Sequence, residues 1–74
     1  MSKVVIYTKS YCSFCRSAKQ LLRSKGFKYE EYDVTHDDKK WREMVKKSGR
    51  RTVPQIFIGE RHVGGCDDLF SMLF

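Results

Sequence analysis

The stretch Val4-Val5-Ile6-Tyr7-Thr8-Lys9-Ser10-Tyr11-Cys12-Ser13-Phe14-Cys15 decides the fold. Its first four residues are apolar and mostly β-branched, the pattern of a short strand covered on both faces. Thr8 to Tyr11 is polar and reads as a loop. From Phe14 onward the apolar residues fall at Phe14, Ala18, Leu21 and Leu22, one stripe of a helix. The two cysteines therefore stand where a strand gives way to a helix, with Cys12 at or just before the first turn. A helix N-terminus presents unpaired backbone N–H groups and the positive end of a dipole, so it stabilises an anion. A thiolate is an anion, and Cys12 is expected to be the nucleophile. Cys15, three residues on, lies on the same side and can close a disulfide onto it.

Outward from this stretch, the first helix is predicted to run from about Ser13 to Lys25, with Gly26 as its left-handed stop. Phe27 to Val34 alternates imperfectly and reads as a second strand, its slip between Tyr29 and Tyr32 suggesting a bend or partial exposure. Strand, helix and strand make a βαβ unit with parallel strands. Thr35-His36-Asp37-Asp38 starts a second helix carrying Trp41, Met44 and Val45 on one face, which ends at Ser48-Gly49. Gln55-Ile56-Phe57-Ile58 and Arg61-His62-Val63 flank Gly59-Glu60, a type II′ hairpin signal. After Gly64-Gly65, Cys66-Asp67-Asp68 opens a last helical segment, Leu69 to Phe74, with acids in its first turn. Trp41, Met44 and Tyr32 read as packing residues and His36 as a loop residue.

The totals bound the function. Seventy-four residues make one small domain, 1–74, with no linker or internal repeat. No apolar run approaches the roughly 18 residues of a membrane span. Met-Ser-Lys-Val leads straight into a strand and shows no secretory signal, so a cytoplasmic protein is expected. Three cysteines without such a signal point to redox chemistry or metal binding rather than a disulfide framework. A net charge of +6 favours an anionic partner. A nucleic-acid module is disfavoured, because the aromatics are placed for the core and no RNA-binding or helix-turn-helix signature is present. For the cysteine pair, zinc is the main rival to redox: His62 and Cys66 offer two further ligands. The βαβ setting favours redox.

The order β-α-β-α-β-β-α with C-x-x-C after the first strand resembles the thioredoxin-like fold, an α/β class with a four-stranded mixed sheet flanked by helices. More closely the chain resembles the glutaredoxins, specifically the small bacterial dithiol kind. Ile6-Tyr7-Thr8-Lys9, Cys12-Ser13-Phe14-Cys15, Ser48-Gly49-Arg50, Thr52-Val53-Pro54-Gln55-Ile56-Phe57-Ile58 and Gly64-Gly65-Cys66-Asp67-Asp68 carry the resemblance. It implies a glutathione-dependent thiol–disulfide oxidoreductase, with glutathione as co-substrate and no resident metal. The implied partners are disulfide-bonded or glutathionylated proteins and, indirectly, glutathione reductase; the implied protein is a monomer. By the same resemblance Cys12 and Cys15 are the catalytic residues, and Lys9, Phe14, Arg51, Thr52, Val53, Pro54, Gly65, Cys66 and Asp67 bind glutathione. A cis Val53-Pro54 bond would lie against the C-x-x-C, leaving the Val53 backbone free to pair with an extended substrate. Lys9 and Arg51 would face the glycine end of glutathione, with Arg50 a weaker candidate. The N-terminus of the last helix would take the γ-glutamyl carboxylate, and Asp67 the ammonium.

Two features depart from the family pattern. Ser13-Phe14 replaces the usual Pro-Tyr pair, which removes a phenolic hydroxyl and a rigid turn. The family's last helix also usually runs longer. Some relatives with a serine after the first cysteine hold a glutathione-ligated [2Fe–2S] cluster between two subunits, which stands as the alternative function.

Overall fold

A computed structural model describes residues 3–74. Strand β1 (Val4–Thr8) lies in the middle of the sheet, as its apolar run requires. It pairs in parallel with β2 (Tyr29–Asp33) and antiparallel with β3 (Gln55–Ile58), which pairs antiparallel with β4 (Arg61–Gly64). The order is β2-β1-β3-β4, a mixed sheet. Helices α1 (Ser13–Ser24), α2 (Asp38–Ser48) and α3 (Cys66–Leu73) complete the expected β-α-β-α-β-β-α order.

The pleat of the strands divides the core in two. Val4, Ile6 and Ile56 point to the side where Ala18, Leu21 and Leu22 of α1 meet Leu69 of α3. Tyr7 and Phe57 point to the other side, against Met44 of α2 and Val34. Burial of a side chain such as Leu22 stabilises the fold by about 1.5–3 kcal/mol. Among the described residues, no helix is long and apolar enough to cross a membrane.

Several boundaries differ from the sequence reading. The second strand is shorter than Phe27–Val34 at both ends. The Phe27 N–H donates to the Leu22 carbonyl at 2.9 Å, closing α1 behind Gly26 (φ 81°). At the other end the Val34 N–H donates to the Thr8 carbonyl at 2.8 Å, beyond the last paired residue. The slipped alternation of β2 turns out to mark exposure: its register with β1 is continuous, and it is the outer strand. Helix α1 ends at Ser24, with Lys25 as its cap. Helix α3 opens at Cys66 with Asp67 and Asp68 in its first turn, as expected, and the Asp68 carboxylate accepts the Gly65 N–H at 2.9 Å to start it there; it ends at Leu73, one residue before Phe74. Asp37 caps α2 by accepting the Lys40 N–H at 3.0 Å, and Gly49 ends it at φ 71°. The hairpin has the expected two-residue loop, with Ile58 opposite Arg61 and positive φ at Gly59 alone.

One irregularity was not anticipated. Ile56 faces Gly64 while Phe57 faces His62, so Val63 is an extra residue, a β-bulge. The two-residue turn sets His62 across from Phe57, with ring centroids 4.9 Å apart, and the bulge then brings Gly64 opposite Ile56.

Candidate functional site

Cys12 is the N-cap of α1, in extended backbone (φ −105°, ψ 111°). Its sulfur occupies the position a serine or aspartate oxygen takes in an ordinary cap. The Cys15 N–H donates to it at 3.1 Å, an arrangement that supports negative charge on the sulfur. Cys12 is partly exposed, whereas Cys15 is only 1% exposed, in the third helical position. Burial, followed by the hydrogen bond to Cys12, pushes the Cys15 thiol up to about 12. The pair is thus unequal: an accessible sulfur at the helix tip and a buried thiol held protonated behind it. Both are free thiols.

The loop before α3 and the loop before β3 meet beside this pair. Val53-Pro54 is cis, as the resemblance implied. The Cys12 S–H donates to the Val53 carbonyl across 3.9 Å, a weak contact that fixes the neighbourhood. Extending from there is a shallow groove of about 240 Å³. Phe14, Thr52, Val53 and Pro54 form one part of its wall, and Gly65, Cys66 and Asp67 another. The first N–H groups of α3, from Cys66 and Asp67, have no intrahelical partner, since the first such bond runs from Leu69 to Gly65. Phe14 is 63% exposed and gives the groove an aromatic flank. Cys66 is buried, and burial, then Asp67 and Cys12, raise its thiol.

The cations differ in how they stand to the groove. Lys9 and Arg51 do not line the groove. The Lys9 ammonium lies 4.6 Å from the centroid of Trp41, drawn towards α2 by the ring. Arg51 is exposed beside Thr52. Arg50 does line the groove, and pairs with Asp68 at 3.3 Å across it. The Gly65 N–H first, and Arg50 second, hold the Asp68 carboxyl below its usual range. Sequence reasoning ranked Arg50 below Arg51 and gave Asp68 and Gln55 no role. Asp68 was discoverable as the third residue of a capped helix, and Gln55 as the one polar member of an apolar strand. His62 and Cys66 are not gathered with Cys12 and Cys15 into a metal-ligand set: among the described residues no cluster of three or more such side chains occurs.

Comparison with known proteins decides the family. The family model "Glutaredoxin" matches residues 4–63. The chain belongs to the glutaredoxin family. It is 51% identical over 72 residues to glutaredoxin 3 of Escherichia coli K12, covering 97% of this chain and 87% of that protein. The solution structure of glutaredoxin from Brucella melitensis superposes with a TM-score of 0.85 at 48% identity, covering 99% of this chain and 79% of that one. A buckwheat glutaredoxin–glutathione complex superposes with a TM-score of 0.87 at 31% identity, covering 97% and 68%. This glutaredoxin is accordingly a thiol–disulfide oxidoreductase. The inequality of Cys12 and Cys15 is what such chemistry requires: one sulfur must attack, and the other must wait.

Proposed function

We propose that this glutaredoxin uses glutathione to reduce protein disulfides and glutathione mixed disulfides, with Cys12 attacking and Cys15 resolving. The observation that carries the reading is the Cys12 sulfur at the α1 N-cap, holding the Cys15 N–H at 3.1 Å beside an open groove. With a protein disulfide, the Cys12 thiolate attacks one sulfur, forming a mixed disulfide and releasing a protein thiolate, which takes up a proton. Cys15 then loses its proton and attacks the Cys12 sulfur, expelling the second protein thiolate and leaving a Cys12–Cys15 disulfide. A glutathione thiolate opens that bond at Cys12, and Cys15 departs and is reprotonated. A second glutathione attacks the glutathione sulfur of the mixed disulfide, giving oxidised glutathione and restoring Cys12. With a glutathionylated protein, Cys12 takes the glutathionyl sulfur directly, and Cys15 is not needed.

The groove suits the glutathionyl group. The unpaired N–H groups at the start of α3 suit a carboxylate, Asp67 an ammonium, and the Thr52–Val53 backbone an extended peptide. Lys9 and Arg51 stand outside the groove wall, where they can act as a cationic rim for a second carboxylate. Such chemistry suits a reducing, cytoplasmic setting in which glutathione reductase keeps glutathione reduced. The test is reduction of a glutathionylated peptide coupled to glutathione reductase and NADPH consumption. Turnover that requires glutathione and vanishes in Cys12→Ser supports the reading; turnover supported equally by thioredoxin reductase without glutathione refutes it.

A further inference from the structure

Gln55 is the first residue of β3 and only 1% exposed, yet its side chain is an amide. Its Nε2 donates to the Thr52 carbonyl at 3.0 Å and to the Thr52 hydroxyl at 3.2 Å. Its Oε1 lies 2.7 Å from His62 Nε2. Thr52 fixes which way the amide points: reversed, its oxygen would face the Thr52 carbonyl, acceptor against acceptor. With the oxygen turned to His62, the imidazole must carry its hydrogen on Nε2. His62 can reach Gln55 because the two-residue turn sets it opposite Phe57, on the face that Gln55 shares. The chain His62–Gln55–Thr52 thus runs from the α2 side of the sheet to the wall of the groove. It ends one residue from Val53, whose carbonyl adjoins Cys12.

We infer that Gln55 and His62 are positioning residues for substrate: His62 orients the Gln55 amide, and the amide holds the Thr52–Val53 backbone in the place where the disulfide substrate lies along it. The inference rests on the functional reading above and assigns the control of that groove to two residues that do not touch Cys12. Neither side chain acts on the sulfur, so their loss should weaken substrate binding and leave the nucleophile intact. His62→Phe keeps the ring and removes the donor, stranding a buried acceptor. Gln55→Met removes the amide with little change of volume. His62→Gln places an amide N–H at a reach similar to Nε2.

In the coupled assay with a glutathionylated peptide, His62→Phe should raise KM about tenfold with kcat within about twofold, and His62→Gln should restore most of the loss. Alkylation of reduced Cys12 by iodoacetamide, which needs no groove, should proceed at the wild-type rate in both. The double variant His62→Phe/Gln55→Met should be no worse than Gln55→Met alone, since the two act in series. Effects that multiply, or an unchanged KM in His62→Phe, overturn the inference. Independently of any variant, nitrogen chemical shifts of the wild-type imidazole should show the Nε2–H tautomer, and the Gln55 amide protons should exchange slowly. The Nδ1–H tautomer overturns the inference even if the enzyme is active. A wild-type protein that fails to turn over the glutathionylated peptide refutes the functional reading instead, while the tautomer still reports the hydrogen bond.

Discussion

Raising the pH on the reduced protein should expose the buried thiol as a term in stability. Cys15 has an ordinary value of 9.0 in the unfolded chain and is pushed up to about 12 in the fold, by burial first and the Cys12 hydrogen bond second. Between those values the unfolded chain has lost the proton and the folded chain has kept it. The unfolded state then binds fewer protons, so unfolding becomes easier as pH rises. Stability from this group is complete below about pH 9 and is lost progressively up to about 12. The interval is about three pH units, each about 1.4 kcal/mol, so the whole is about 4 kcal/mol, and about 2 kcal/mol is gone by pH 10.5. Tyrosines and lysines titrate in the same range, so the measurement is a difference. Urea unfolding of wild type and Cys15→Ala, both reduced with a phosphine, would be compared at pH 8.5, 9.5 and 10.5. The stability gap between them should shrink by about 1.4 kcal/mol per pH unit above 9. A gap that stays constant across the series would refute the argument that the interior holds this proton. In the proposed mechanism the same property keeps Cys15 a thiol at neutral pH until the Cys12 mixed disulfide forms beside it.

Three further outcomes follow from the site. Cys12→Ser should lose all disulfide exchange, whereas Cys15→Ser should keep deglutathionylation and lose reduction of protein disulfides; the opposite pattern in the two assays would reverse the assigned roles. Charge reversal at Lys9 or Arg51 should raise KM for a glutathionylated peptide more than it lowers kcat, and Arg50→Glu should do so more strongly, because Arg50 lines the groove; equal KM in all of them would remove the cations from binding. Gly64→Ala should destabilise the fold by about 2 kcal/mol, lowering Tm by about 10 °C, because Gly64 has φ 120° and an added Cβ would come within 2.3 Å of the Asp68 carboxylate; a melting curve matching wild type would show that Asp68 moves aside at no cost.

The parts of the molecule that could be read from the sequence are those set by local rules. Val4 to Tyr7 is apolar throughout and became the central strand; Cys12 precedes a 3.6-residue apolar stripe and became the N-cap. Gly26, Gly49 and Gly59 each stand where a positive φ is needed. Features that depend on how distant segments meet were not legible. That Arg50 pairs with Asp68, eighteen residues away in the chain, is set by how the loop before β3 meets α3. Lys9 sits near Cys12 in sequence, but Trp41 of α2 lies within reach of its ammonium. The Gln55–His62 contact bridges β3 and β4, and the turn of the amide towards His62 is set by Thr52, outside both strands. The ends of β2 were overextended because Phe27 and Val34 are apolar for packing, while their N–H groups serve a helix cap and a loop.

The two outer strands have a consequence for the molecule in a crowded solution. A sheet boundary is a row of unspent N–H and C=O groups that can recruit a strand from a neighbouring chain and begin aggregation. On one flank β2 carries Glu30, Glu31 and Asp33, and salt bridges bind Glu30 to Lys3 and Glu31 to Lys19. An incoming strand there would meet carboxylates of one sign at close spacing. On the other flank β4 is four residues long, starts at Arg61 and is kinked by its bulge, so it offers no straight run to copy. Sheet growth is discouraged at both boundaries, by charge on one and by shape on the other.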